Sequence, residues 1–176
     1  MPFPYYQRLS PAAKAIYDKS DRITELPLAQ PDLLWPFVDV MRTALAEDNR
    51  RAVQEAAVCL CRGLVEMLNV PPVEAEVMAV RPTLRSAELH GLYTQSTRGR
   101  PRIRVWMRTA RHARVVAFRT FLRTLLHELG HHLDYTYFKL ADSLHTEGFF
   151  KRESSLFRQL VPEATAPRPN PASKKE

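Results

Sequence analysis

The hydrophobic period of this chain changes twice, and that change narrows the fold more than any other feature. Between Arg50 and Leu68, Val53, Ala57, Leu60, Leu64, Val65 and Leu68 fall on one stripe at helical spacing, and Asn69 with Pro71-Pro72 stops the run. After Pro72 the period becomes two. Val73, Ala75, Val77 and Ala79 alternate with Glu74, Glu76 and Met78, as in a strand with one buried face. Leu89 to Gln95 reads as a second strand and Ser96 to Gly99 as a turn. In a third strand Ile103, Val105 and Met107 oppose Arg102, Arg104 and Arg108, so the last two strands read as a hairpin. From Ala113 to Asp134 the helical period returns, with Val115, Phe118, Leu122, Leu125, Leu126, Leu129 and Leu133 on a broad apolar face. This order predicts an α+β fold with a small, mostly antiparallel three-stranded sheet.

Helices flank this centre. Ser10 before Pro11 reads as an N-cap with proline at the first helical position, and a second helix is expected from Asp32 to Ala46, with Pro36 near its first turn. Glu47-Asp48-Asn49 is a turn. Beyond Asp134 a polar stretch from Lys139 to Thr146 leads into a closing helix through Phe149, Phe150, Leu156, Phe157 and Leu160, ended by Pro162. Residues 163–176 hold three prolines, two lysines and no large apolar side chain, so they are expected to be a disordered tail. The expected organisation is a helical extension over 1–49, a compact domain over 50–162 and that tail.

The 176 residues are 45% apolar, enough for one core without disulfide staples. Cys59 and Cys61 lie two apart on a helix and do not face each other, so they read as small apolar fillers, and their thiols suggest a reducing compartment. No apolar run approaches the roughly 18 residues of a membrane span, and the first residues lack signal-peptide character, so a cytoplasmic protein without membrane attachment is expected. Lys plus Arg number 26 against 19 Asp plus Glu, yet nine arginines and no acid fall between Leu89 and His127, leaving 17 basic and 19 acidic residues elsewhere. The arginine-rich segment from Arg98 to Arg123 therefore builds either a solvated sheet face or a surface for DNA or an acidic peptide.

The chemistry points to His127-Glu128-Leu129-Gly130-His131, an HExxH motif inside the predicted helix. Residues four apart project side by side, so His127 and His131 can both reach one Zn²⁺ at about 2.0–2.1 Å, while Glu128 lies about 100° round, where a general base belongs. Polar Thr120 and Thr124 precede His127 on the ligand face, whereas a plain core helix would continue its apolar stripe there. A catalytic zinc usually takes a third protein ligand and leaves a position for water. The candidates are His145, Glu147 and Glu153; His132 and Asp134 read as outer residues that orient the ligands.

On these residues and this order of elements the chain resembles the SprT-like zinc metallopeptidases, compact members of the zincins. The resemblance implies that the third ligand is the histidine of a His-Gly-x-x-Phe segment, here His145-Thr146-Glu147-Gly148-Phe149, with threonine where the family usually has glycine. It spans roughly Arg50 to Leu160. A second resemblance, to small gluzincins, would select Glu153 or Glu147 instead. Both imply hydrolysis of a protein or peptide by zinc-activated water with Glu128 as base. Donors considered for the oxyanion are His132, Tyr135, Tyr93 and Arg152. Zincins pair substrate with an edge strand, by resemblance Arg102 to Met107, which would favour acidic substrates. Two further expectations are DNA-associated protein processing and a non-catalytic scaffold stapled by zinc.

Overall fold

The computed structural model describes residues 2–83 and 88–164; the tail expected beyond Pro162 lies, from residue 165 on, outside them. Among the described residues there are five α-helices: α1 (Pro11–Asp21), α2 (Trp35–Ala46), α3 (Arg50–Met67), α4 (Phe118–Thr136) and α5 (Glu147–Leu160). The strands are β1 (Glu74–Val80), β2 (Gly91–Thr94) and β3 (Arg102–Arg108). Local chemistry explains most helix starts. Ser10, Asn49 and Thr146 each accept from a backbone N–H three residues on, at 3.2, 3.2 and 2.9 Å, capping α1, α3 and α5. The helix expected from Asp32 opens instead with a 3₁₀ turn, Pro31–Leu34. An α-helix begun there would put Pro36 where its missing N–H interrupts the ladder, whereas starting at Trp35 places Pro36 in the first turn, where no donor is needed.

The start of α4 is also corrected, from Ala113 to Phe118. Val115 forms a bridge with Arg108, Val116 N–H donates to the Met107 carbonyl at 2.8 Å, and Ala113 takes a left-handed φ of 48°. The chain doubles back on β3 before turning helical.

The sheet order is β1-β3-β2. β3 pairs in parallel with β1, in the register Glu74↔Arg102 and Glu76↔Arg104, and antiparallel with β2, in the register Gly91↔Val105 and Tyr93↔Ile103. The hairpin is present, but the sheet is mixed, not mostly antiparallel, and β3 is its centre rather than an edge. The charges favour this insertion. Arg102 reaches Glu74 at 3.0 Å and Arg104 reaches Glu76 at 2.9 Å, so the acids of β1 lie beside the bases of β3 on the half-exposed face. Arg108 pairs with Asp48. Three arginines of β3, Arg102, Arg104 and Arg108, are thus ion-paired within the chain.

The outer edge of β1 is closed by its own helix. The Gln54 amide donates to the Ala75 carbonyl at 2.8 Å and accepts from Val77 N–H at 2.6 Å, while Arg50 donates to the Val77 carbonyl at 3.0 Å. Ile103, Val105 and Met107 on the other face meet Leu60 and Leu64 of α3 and Leu122, Leu125 and Leu129 of α4 in one continuous core. Val38, Met41 and Leu45 of α2 join that core, so residues from the first 49 are packed into it. Cys61 is buried in the α3 stripe, and both cysteines are free thiols. No described helix is long and apolar enough to cross a membrane.

Candidate metal centre

The apolar face of α4 sinks into the core and so fixes the rotation of the helix, turning His127 and His131 toward the return loop that follows it. His145 closes over them from that loop. Its Nε2 lies 3.0 Å from His127 Nε2 and 3.2 Å from His131 Nε2, and one ligand atom of each residue lies within 4.8 Å of the others.

The far side of two rings identifies which nitrogens carry protons. His127 Nδ1–H donates to Glu153 Oε2 at 3.2 Å, since a carboxylate can only accept. Ser143 Oγ donates its one hydrogen to Asp134 Oδ2 at 2.8 Å, so it accepts from His131 Nδ1–H at 2.7 Å. Both rings therefore aim an Nε2 lone pair at the position faced by His145. A cation among the three nitrogens satisfies them all. Tetrahedral ligation at about 2.0–2.1 Å would set nitrogens about 3.3 Å apart, close to the observed separations. Burial lowers the His131 pKa to about 3, and the repulsion between a proton on His131 and one on His127 or His145 adds to this. His145 is lowered chiefly by burial, then by His127, with Glu153 opposing. Both are held as the neutral imidazoles a metal requires.

Asp134 anchors a longer chain of contacts. Fully buried, it accepts from Arg152 Nη2 at 2.8 Å, and Arg152 Nη1 donates to the carbonyls of Ser20 and Ile23 at 2.7 and 2.6 Å. Burial raises the Asp134 carboxyl above the usual range, while Arg152 and Ser143 pull it back.

Glu128 lies beside the histidines, its carboxylate against β2. Burial raises its pKa, with His127 and the nearby Tyr93 backbone N–H opposing. The close approach depends on Gly91, where an added Cβ would sit 2.5 Å from Glu128 Oε1. Two hollows of about 380 and 320 Å³ flank this point and share Gly91, His127 and Glu128, so the groove follows the β2 edge. A larger hollow of about 580 Å³ lies between α3 and β1, lined by Arg62, Glu66, Glu74 and Arg100 and by no histidine; its chemistry offers no comparable set of groups.

The other expected residues separate clearly. Glu153 stands behind His127 and pairs with Arg123 at 3.1 Å, and Glu147 pairs with Lys151 at 2.8 Å; neither converges with the three histidines. His132 is buried away from the groove: its Nε2–H donates to the Pro71 carbonyl at 2.8 Å, so its Nδ1 accepts from the Tyr93 hydroxyl at 3.2 Å. Arg152 is committed to the Asp134 network. Tyr93 and Tyr135 do line the groove, their rings stacked with centroids 6.2 Å apart, and burial pushes the Tyr93 hydroxyl up to about 12. The edge beside the groove is β2, so the arginines of β3 do not border it as expected; Arg123, paired with Glu153, does. Sequence reasoning missed Ser143, Gly91, Ser20 and Tyr5. Only Gly91, a glycine inside a strand, carried a local sign of close approach.

Comparison with protein-family models, curated proteins and solved structures gives no match.

Proposed function

We propose that this chain is a zinc-dependent metallopeptidase, with His127, His131 and His145 as the ligands and Glu128 as the general base. The observation that carries this reading is the convergence of three histidine nitrogens, two of them oriented from behind by acceptors, beside a buried carboxylate. When bound, zinc supplies Lewis-acid polarisation of a scissile carbonyl and makes a neutral-pH nucleophile of water. Glu128 takes the attacking water's proton and delivers it to the leaving amine. Outside the sheet, the β2 edge beside Gly91 runs along the groove and offers an extended protein or peptide substrate a strand to lie along. Tyr93 and Tyr135 line the groove with their hydroxyl hydrogens committed to His132 and to Asp142.

A place beside the SprT-like peptidases belongs to this proposal, supported by the HExxH helix, the returning histidine and the closing helix. Thr146, which departs from the usual glycine, caps that helix. The free thiols of Cys59 and Cys61 favour a reducing compartment such as the cytoplasm.

The test begins with zinc content in protein purified without a chelating column. Wild type is expected to hold near one zinc per chain and His145→Ala little. Glu128→Gln should keep the metal and lose peptide hydrolysis by about 10²–10⁴-fold. Full activity in Glu128→Gln, or a folded wild type that takes up no added zinc, overturns the reading.

A further inference from the structure

The chemistry just proposed uses nothing from the first 49 residues, yet the start of the chain ends against the third ligand. His145 sits in a stretch, Lys139 to Thr146, without regular secondary structure, so its position depends on what surrounds it. The Tyr5 hydroxyl, carried on the 3₁₀ turn Pro4–Arg8, donates to the His145 carbonyl at 2.5 Å. One residue on, Thr146 Oγ1 lies 3.3 Å from Ser20 Oγ. Further along, Gly148 N–H donates to Asp21 Oδ1 at 2.9 Å, and the backbones are so close that a Cβ on Gly148 would lie 2.4 Å from the Asp21 carbonyl oxygen. The same end of α1 braces the second ligand, because the Ser20 and Ile23 carbonyls hold Arg152, which holds Asp134, Ser143 and so His131.

We propose that the segment Phe3–Ile23 is a clasp that positions the metal ligands, with Tyr5 as the residue that sets His145. The inference rests on the metal-centre reading above. Its specificity lies in the two ends of the Tyr5 side chain. The hydroxyl meets the ligand residue's own backbone, while the ring packs edge-on to buried Tyr17 at 5.8 Å. Phe3 closes the same side, edge-on to Phe150 at 6.0 Å, and Phe150 in turn stacks on His145 at 5.8 Å. Tyr6 is the internal contrast: it also packs on Tyr17, but its hydroxyl donates to Asp18 of α1 at 3.2 Å and not to the loop.

The experiment uses the whole 176-residue chain and three readouts: zinc release to a chromophoric chelator, the visible absorption of the cobalt(II) form, and the unfolding midpoint of the metal-free protein. Tyr5→Phe deletes one hydrogen bond and is expected to speed zinc release about three- to tenfold and to alter the cobalt spectrum, with the metal-free midpoint unchanged. Phe3→Ala combined with Tyr5→Phe should release zinc faster still, and Tyr6→Phe should match wild type. Zinc release at the wild-type rate in both Tyr5 variants overturns the clasp. So does faster release that the fall in the metal-free midpoint, or an equal effect of Tyr6→Phe, fully explains. A wild type that binds no zinc is a separate result: it removes the metal centre itself and the positioning role with it.

Discussion

Replacing Arg152 by methionine tests the buried network behind the histidines without any assumption about substrate. Arg152 is 4% exposed and donates to the Ser20 and Ile23 carbonyls, to Ser20 Oγ and to Asp134 Oδ1. Methionine fills much of the volume but leaves the Asp134 carboxylate, 0% exposed, with Ser143 as its remaining side-chain partner. Breaking a buried ion pair from one side costs about 3–5 kcal/mol, a large share of the roughly 5–15 kcal/mol that holds a domain together. At about 2–4 °C per kcal/mol for a domain of this size, the midpoint should fall by roughly 6–20 °C. The pH dependence supplies a sharper signature. Burial already raises the Asp134 pKa, and Arg152 restrains that rise, so the variant raises it further. Between the unfolded value near about 3.9 and the raised native value, the native state then binds a proton that the unfolded state does not, so stability increases as pH falls. Denaturant unfolding of metal-free protein should therefore show a gap between wild type and Arg152→Met that narrows from pH 7 to pH 5. Adding Asp134→Asn should abolish the narrowing. A loss under about 1 kcal/mol at pH 7, or an equal loss at both pH values, would mean that Arg152 does not hold a buried Asp134 carboxylate.

Two other substitutions probe the site from different sides. Gly91→Ala places a methyl 2.5 Å from Glu128 Oε1 and 2.8 Å from Thr124 Cγ2, so the carboxylate must move; kcat for peptide hydrolysis should fall on the order of 10²-fold while zinc content is unchanged. Glu153→Ala removes the acceptor behind His127 and should weaken zinc affinity about 10–100-fold in a chelator competition, whereas Glu147→Ala, at a half-exposed acid that pairs with Lys151 and does not touch the histidines, should leave it as in wild type.

Periodicity located α3 to within a residue because its apolar stripe and both end signals are local properties of the chain. The HExxH pair was legible for the same reason, since a spacing of four on a helix decides adjacency without reference to the rest of the fold. Strand order was not legible: alternation looks alike in parallel and antiparallel pairs and at edge and centre. The acids at 74 and 76 facing the arginines at 102 and 104 were the available clue, and they act only once the strands are side by side. The start of α4 was misplaced because Val115 fits the helical period while its backbone pairs with β3. Ser143, Ser20 and Tyr5 reach the site through contacts 9 to 140 residues apart, from residue types too common in loops and helix ends to stand out.

The two margins of the sheet are not equivalent, and this bears on how molecules of the protein can meet. An unprotected three-stranded sheet could grow without limit, each copy receiving a neighbour on one side and offering itself on the other. Gln54 and Arg50 occupy the Ala75 carbonyl and both backbone groups of Val77, in the middle of the β1 margin, whereas the β2 margin faces the groove beside Glu128. A molecule receptive on one flank can host a guest or pair with one copy of itself, but its sheet does not propagate from copy to copy through both margins.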